Sequence, residues 1–241
     1  MSDKINELKI KIFADGANVK EMKRLYKEGL VKGFTTNPTL MKKDGVENYE
    51  QFAKEVLNEI KDLPISFEVF SDDFNLMEKE ARKIQSWGKN VNVKIPITNT
   101  RGEMSIDLIK KLSDDGMQLN ITAILTLEQV EAVSKVISRD TKTIVSVFAG
   151  RIADTGRDPI PYMKKACEIL SDNKNAELLW ASPRELLNIF HAESCGCKII
   201  TVTNDVLKKL RMINKDLKEL SLDTVKMFAN DAMTAGYKIL D

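Results

Sequence analysis

The chain has 241 residues, a formal net charge of +1, 43% apolar and 30% charged residues. That balance excludes a disordered chain, and the mixing of acids with bases leaves no basic block for nucleic acid or a membrane surface. With three cysteines and one histidine, neither a disulfide framework, a His/Cys zinc site nor a Ser-His-Asp triad finds support. Cys195 and Cys197 form C-x-C, which lacks metal spacing. Cys167 stands apart, and His191 falls inside a helical pattern. The N-terminal "MSDKINELK" has no apolar core of a signal peptide, and the apolar runs are too short for a transmembrane helix. A cytoplasmic location is the expectation.

Strand-like and helix-like segments alternate from end to end. "KIKIFA" (9–14) is rich in β-branched and aromatic residues. Val19, Met22 and Tyr26 then follow helical spacing. "KGFTTNPT" is a short strand stopped by Asn37-Pro38, and Phe52, Val56, Leu57 and Ile60 mark the next helix. "ISFEVF" (65–70) is the third strand. Phe74, Met77, Ala81 and Ile84 share one helical face. "VNVKI" is the fourth strand, with a helix expected from Met104 to Leu112.

The second half repeats the pattern. "MQLNITA" precedes a helix opened by a Thr126-x-x-Gln129 capping box. "TIVSVF" leads to a helix over 161–170. "AELLWAS" leads to Ser182, Pro183 and Glu185, read as an N-cap, a first-turn proline and a capping glutamate. "CKIITVT" is followed by a helix beginning at Asp205. A final helix, expected at about 221–238 and capped near Ser221, carries Val225, Phe228, Ala229 and Ala232. Eight such pairs in about 240 residues predict a single α/β domain, a (β/α)₈ TIM barrel with an additional C-terminal helix. An open doubly wound sheet is the rival, but no G-x-G-x-x-G or G-x-x-x-x-G-K-[ST] follows any strand.

Barrel active sites lie where the strands end. Strand one ends in Asp15 and strand two in Asn37. Strand three carries Glu68, strand four Lys94, strand five Asn120 and Thr122, strand six Ser146, and strand seven runs into Ser182 and Arg184. Taken singly, most have a plainer explanation. Asp15 opens a turn-like "DGAN", Asn37-Pro38 is punctuation, and Ser146 and Thr122 can bond to backbone. Glu68 and Lys94 also fit a buried structural ion pair. Successive strands each placing a polar group at one end is a poor fit to packing alone.

A lysine in an apolar strand loses solvation, which favours its neutral, nucleophilic form. A neutral lysine forms a Schiff base with a carbonyl, and the protonated imine withdraws electrons from a neighbouring carbon–carbon bond. Asp15 and Glu68 supply carboxylates for proton transfer. The residues alone therefore point to a Schiff-base lyase or transferase acting on a small polyol carbonyl compound, with no metal or cofactor required.

"FADGAN", "GFTTNPTL", "VNVKIP", "LNITAILT", "SVFAGRI" and "ASPRELL…GCKIITV" resemble, in order and over nearly the whole chain, the transaldolase family of class I aldolase barrels. The resemblance implies a compact transaldolase-like member of carbohydrate metabolism, of the pentose phosphate type. It implies Lys94 as the Schiff-base lysine and Asp15 as the carboxylate moving the C4-hydroxyl proton. Glu68 and Thr122 would handle a water, and Asn37, Asn120 and Ser146 would hold the dihydroxyacetone unit. Phe148 and Ser182 belong to the substrate-binding set, and Arg151 and Arg184 to the phosphate site. Arg184 is expected in the first turn of a capped helix.

The resemblance also bears on subtype. Fructose-6-phosphate aldolases usually carry Gln, Tyr and Lys at the positions of Glu68, Phe148 and Arg184, so transfer is preferred over release of dihydroxyacetone. Departures are Gly16 after the aspartate, where Thr or Ser is usual, and Pro183, where an aromatic often follows the serine. The alternatives are an aldolase-like lyase, a homologue acting on a modified sugar, and a non-catalytic sugar-phosphate-binding protein. Expected partners are small sugar phosphates and further copies of the chain in a homo-oligomer, with no nucleic acid and no membrane.

Overall fold

In the computed structural model, which describes residues 7–239, eight parallel strands close on themselves in chain order. They are β1 (Lys11–Asp15), β2 (Phe34–Thr35), β3 (Ile65–Glu68), β4 (Val91–Pro96), β5 (Leu119–Ile124), β6 (Thr143–Val147), β7 (Ala176–Trp180) and β8 (Ile199–Thr203). Because β1 pairs with both β2 and β8, no edge is left, and the open-sheet alternative falls. Parallel strands covered by helices are buried on both faces. That is why "VNVKIP" is almost wholly buried although it contains Asn92 and Lys94.

The helices are α1 (Val19–Glu28), α2 (Pro38–Lys43), α3 (Tyr49–Glu59), α4 (Phe74–Gln85), α5 (Ile106–Asp114), α6 (Leu127–Ser134), α7 (Ala149–Asp154), α8 (Pro159–Leu170), α9 (Leu187–Ser194), α10 (Asn204–Lys208) and α11 (Leu217–Thr234). Local chemistry sets many starts. Asn18, Asn48, Asp73 and Asp158 each accept a hydrogen bond from a first-turn N–H, replacing a partner the helix cannot supply. The capping box at Thr126 and Gln129 forms in full.

Several starts differ from the sequence expectation. Helix α5 begins at Ile106, not Met104, because Met104 pairs with Thr98 in a small antiparallel bridge. Two short helices, α2 and α7, follow β2 and β6 without a long apolar pattern to announce them. The Ser182–Pro183–Glu185 start does not form. Helix α9 begins at Leu187, and the side-chain oxygen of Asn188 accepts from the Arg184 and Glu185 amides at 2.8 and 3.2 Å instead. Arg184 thus lies in the loop before the helix.

The chain divides into a unit of Leu8–Lys208, which carries the barrel, and a second unit that includes the segment from Lys209 onward. In the second unit α11 is capped by Asp216, not Ser221, its carboxylate accepting from the Lys218 and Glu219 amides. No α11 residue is buried, and Leu222, Val225, Phe228 and Met233 are exposed. Among the described residues no helix is long and apolar enough to cross a membrane.

Candidate active site

A cavity of about 520 Å³ opens at the C-terminal ends of the strands. Asp15, Asn37, Glu68, Lys94, Asn120, Thr122, Ser146, Phe148, Arg151, Ser182 and Arg184 all line it. Register explains much of this gathering. Glu68 pairs with Lys94 across β3–β4, and Lys94 with Asn120 across β4–β5. The three side chains form a row around the barrel wall. Phe13, Ile144, Leu179, Ala181 and Ile199 form a buried apolar cluster, of which Leu179 and Ala181 reach the cavity wall, and Phe148 packs on it.

Lys94 is 6% exposed. Its Nζ donates to the Thr36 carbonyl at 2.8 Å and lies 3.0 Å from Glu68 Oε2. A buried ammonium needs such partners. The main chain of Glu68 is held in place by Tyr49 of α3. The Tyr49 hydroxyl accepts from the Glu68 amide at 2.7 Å and donates to the Glu68 carbonyl at 3.0 Å. Its ring packs among Phe67, Phe70 and Trp87. Burial pushes the phenol pKa upward, so it stays protonated and able to donate. Tyr49→Phe leaves two main-chain groups without this partner, at a cost of about 1–3 kcal/mol. Thermal unfolding should show a clear fall in Tm. Tyr26→Phe, which removes an exposed bond to Asp62, should show little.

Asp15 faces this pair from the end of β1. Thr35 Oγ1 donates to Asp15 Oδ1 at 2.8 Å, and Asn37 Nδ2 approaches Oδ2 at 3.5 Å. Thr35 Oγ1 also lies 2.5 Å from Thr201 Oγ1 of β8. Burial raises the Asp15 pKa above the ordinary carboxylate value; Lys94 and the Thr35 hydrogen bond oppose the rise without cancelling it. Asn37 is not mere punctuation. Its Oδ1 caps α2 by accepting from the Leu40 amide at 2.9 Å, which leaves its Nδ2 facing Asp15.

On the opposite wall a polar chain orients the amide of Asn120. Ser146 Oγ donates to Asn120 Oδ1 at 2.7 Å, and Asn120 Nδ2 donates to Ser66 Oγ at 3.0 Å. Thr122 follows on the same strand face, 2% exposed. Next to it the β5–β6 register shifts, and Ala123 takes φ 61°. A bulge with a non-glycine residue in the left-handed region is strained, and such features cluster at functional sites.

Cations mark the outer wall. The Arg151 guanidinium lies 5.3 Å from the Phe148 ring centroid, and Arg184 pairs with Asp154. Ser182 has φ 59°, a conformation incompatible with the N-cap that its sequence suggests. Gly150 explains the tight approach. A Cβ there would sit 1.5 Å from the Ser182 carbonyl oxygen and 3.3 Å from Arg184 Nε. Gly150→Ala should therefore displace the Ser182–Arg184 loop, costing about 1–3 kcal/mol as overpacking does. In a chain of this size that is a Tm loss of about 2–4 °C per kcal/mol, measurable by thermal denaturation.

The chain matches the family described as Transaldolase/Fructose-6-phosphate aldolase over residues 12–239. It belongs to that family. It is 35% identical over 202 residues to a probable transaldolase 2 of Listeria monocytogenes, spanning 83% of this chain and 88% of the relative. A probable transaldolase of Thermoplasma volcanium is 36% identical over 204 residues, 83% of this chain and 87% of the relative. One from Thermoanaerobacter is 32% identical over 231 residues, 95% of this chain and 100% of the relative.

The span matched to the transaldolase/fructose-6-phosphate aldolase family contains every cavity-lining residue named above. Residues that the sequence reading passed over are Thr35, Thr201, Tyr49, Asp154 and Gly150. Thr35 sits inside the quoted "TTNPT", and Thr201 shares a strand face with the inward Ile199, so both had a local signal. The remaining three act through contacts distant in sequence. Among the described residues, no group of three His, Cys, Asp or Glu side chains is placed to hold a metal ion. What the cavity offers is an amine, two carboxylates, neutral hydrogen-bonding groups and two guanidiniums.

Proposed function

We propose that this chain is a Schiff-base transaldolase that moves a dihydroxyacetone unit from a ketose phosphate, such as fructose 6-phosphate or sedoheptulose 7-phosphate, to an aldose phosphate. The observation that carries this reading is the amine of Lys94, buried at a strand end with Glu68 beside it and Asp15 in the same cavity. A carbonyl carbon brought into that cavity meets a nucleophile and two proton-transfer groups at once.

The donor's C2 carbonyl takes the Lys94 amine once Glu68 has accepted its proton. Glu68, with Thr122 holding a water, returns a proton to the departing hydroxyl, and the imine forms. Asp15 then removes the C4-hydroxyl proton. The C3–C4 bond breaks, its electron pair flows into the iminium, and an aldehyde leaves. Asn37, Asn120 and Ser146 hold the remaining three-carbon enamine. An acceptor aldehyde adds to it by the reverse steps, and hydrolysis frees the product. Arg151, Arg184 and Ser182 suit the terminal phosphate. A guanidinium presents paired donors to phosphate oxygens.

Glu68 and Phe148 favour transfer over release, since no phenol stands at 148 to protonate the enamine early. The test is to supply fructose 6-phosphate with and without erythrose 4-phosphate. Sedoheptulose 7-phosphate should form only with the acceptor. Equal dihydroxyacetone release in both mixtures, with no seven-carbon product, would make the chain an aldolase-like lyase. Borohydride treatment with each donor, followed by mass spectrometry, should leave a covalent adduct on Lys94. No adduct with any donor would support a binding protein.

A further inference from the structure

The three cysteines play no part in the proposed chemistry, yet the fold brings them together away from the strand C-termini. Cys167 lies on α8, while Cys195 and Cys197 flank Gly196 between α9 and β8. Gly196 has φ 88° and closes α9 in a Schellman turn. Its amide donates to the Glu193 carbonyl at 2.9 Å, and the Cys197 amide donates to the Ala192 carbonyl at 3.1 Å. The turn fixes Cys197 at the foot of β8. Cys167 Sγ packs against this turn, 3.7 Å from the point where a Gly196 Cβ would stand. Cys167 is half-buried, whereas Cys195 and Cys197 are buried.

Two features give the thiols different roles. Cys167 and Cys197 interact side chain to side chain, which lowers the Cys167 thiol pKa and, together with burial, raises that of Cys197; the nearby Lys198 charge adds to the first effect. Cys167, Gly196 and Lys198 also line an open cavity of about 390 Å³, so a small reagent can reach Cys167 first. Cys195 has a partner of its own, its thiol donating to the Ile160 carbonyl oxygen at 3.7 Å.

We propose that Cys167 and Cys197 form a thiol-modification site, in which Cys167 reacts with a hydroperoxide and Cys197 resolves the product to a disulfide. The Cys167 thiolate attacks one peroxide oxygen. The S–O bond forms, the O–O bond breaks, and the other oxygen leaves as an alcohol or water after taking a proton. Cys197 sulfur then attacks the Cys167 sulfenic acid. The S–S bond forms, the S–O bond breaks, and hydroxide departs with the thiol proton as water. In sum, two thiols are oxidised and one peroxide is reduced, with no other reactant.

The test uses the full chain, reduced, desalted and treated with hydrogen peroxide in small excess. Free thiols should fall from three to one, and the intact mass should drop by two hydrogens with no oxygen gained. A non-reducing peptide map should join the Cys167 peptide to the Cys197 peptide. Fragmentation of that linked peptide separates Cys197 from Cys195 without any variant. Cys195→Ser should keep the disulfide, and Cys197→Ser should stop at a Cys167 sulfenic acid that dimedone captures. A bridge to Cys195, oxygen added to Cys167 in the native chain without a bridge, or three unreacted thiols would overturn the proposal.

Discussion

Lys94→Met should abolish turnover and borohydride trapping together. Methionine matches the length and apolar stem of lysine but has no amine for an imine. The expected loss in kcat is at least about a thousandfold, equivalent to roughly 4 kcal/mol of barrier. The substitution also strands Glu68, whose carboxylate loses a partner at 3.0 Å, so a fall in Tm accompanies it. Lys94→Arg separates the two effects. A guanidinium keeps the positive charge beside Glu68 but is not a nucleophile at any working pH. It should recover much of the lost stability and none of the activity. Recovery of turnover by arginine would show that Lys94 serves only as a charge, and the Schiff-base reading would fall.

The unusual position of this lysine was legible in one strand, because a cation inside "VNVKIP" conflicts with burial unless it has work or a partner. The structure shows the partner. The barrel was legible for a related reason: strand and helix periods alternate along the chain, and the strands are apolar enough to be covered on both faces. Glu68, Asn120 and Ser146 could be placed by strand parity alone.

What local pattern misjudged was governed by long-range packing. Ser182-Pro183-x-Glu185 has the composition of a helix start. The close approach of Gly150 to the Ser182 carbonyl instead goes with a left-handed serine and a helix that begins at Leu187. Tyr49 looks like an ordinary first-turn residue, and its role depends on where α3 lies against β3. Asp154 pairs with an arginine 30 residues away. The C-terminal helix is a different case. Asp216-x-x-Glu219 is itself a local start signal, and it prevails over the one at Ser221.

Asp15→Asn should slow the reaction by about 10²- to 10⁴-fold, the range for loss of a positioned acid–base group, while making the protein more stable at neutral pH. The two effects share one cause. Burial raises the folded-state pKa of Asp15 above its ordinary value, so the fold favours the protonated form. The stability that this carboxyl contributes is complete below its unfolded pKa and is lost as pH rises through the raised folded pKa. The ionised form of Asp15 is therefore disfavoured by the fold, and the same burial makes it a stronger base. Asparagine has nearly the same shape without the charge, and Thr35 and Asn37 remain as hydrogen-bonding neighbours. Its Tm should exceed the parent's by a few degrees at pH 7, and the gap should close as pH falls below the ordinary carboxylate pKa. The parent's acid limb of kcat against pH should lie above that ordinary value, since the base is lost by protonation, and the residual activity of Asp15→Asn should lack it. A variant that keeps full activity, or one that loses stability at pH 7 and regains it in acid, would remove Asp15 from the proton-transfer step or reverse the sign of its burial.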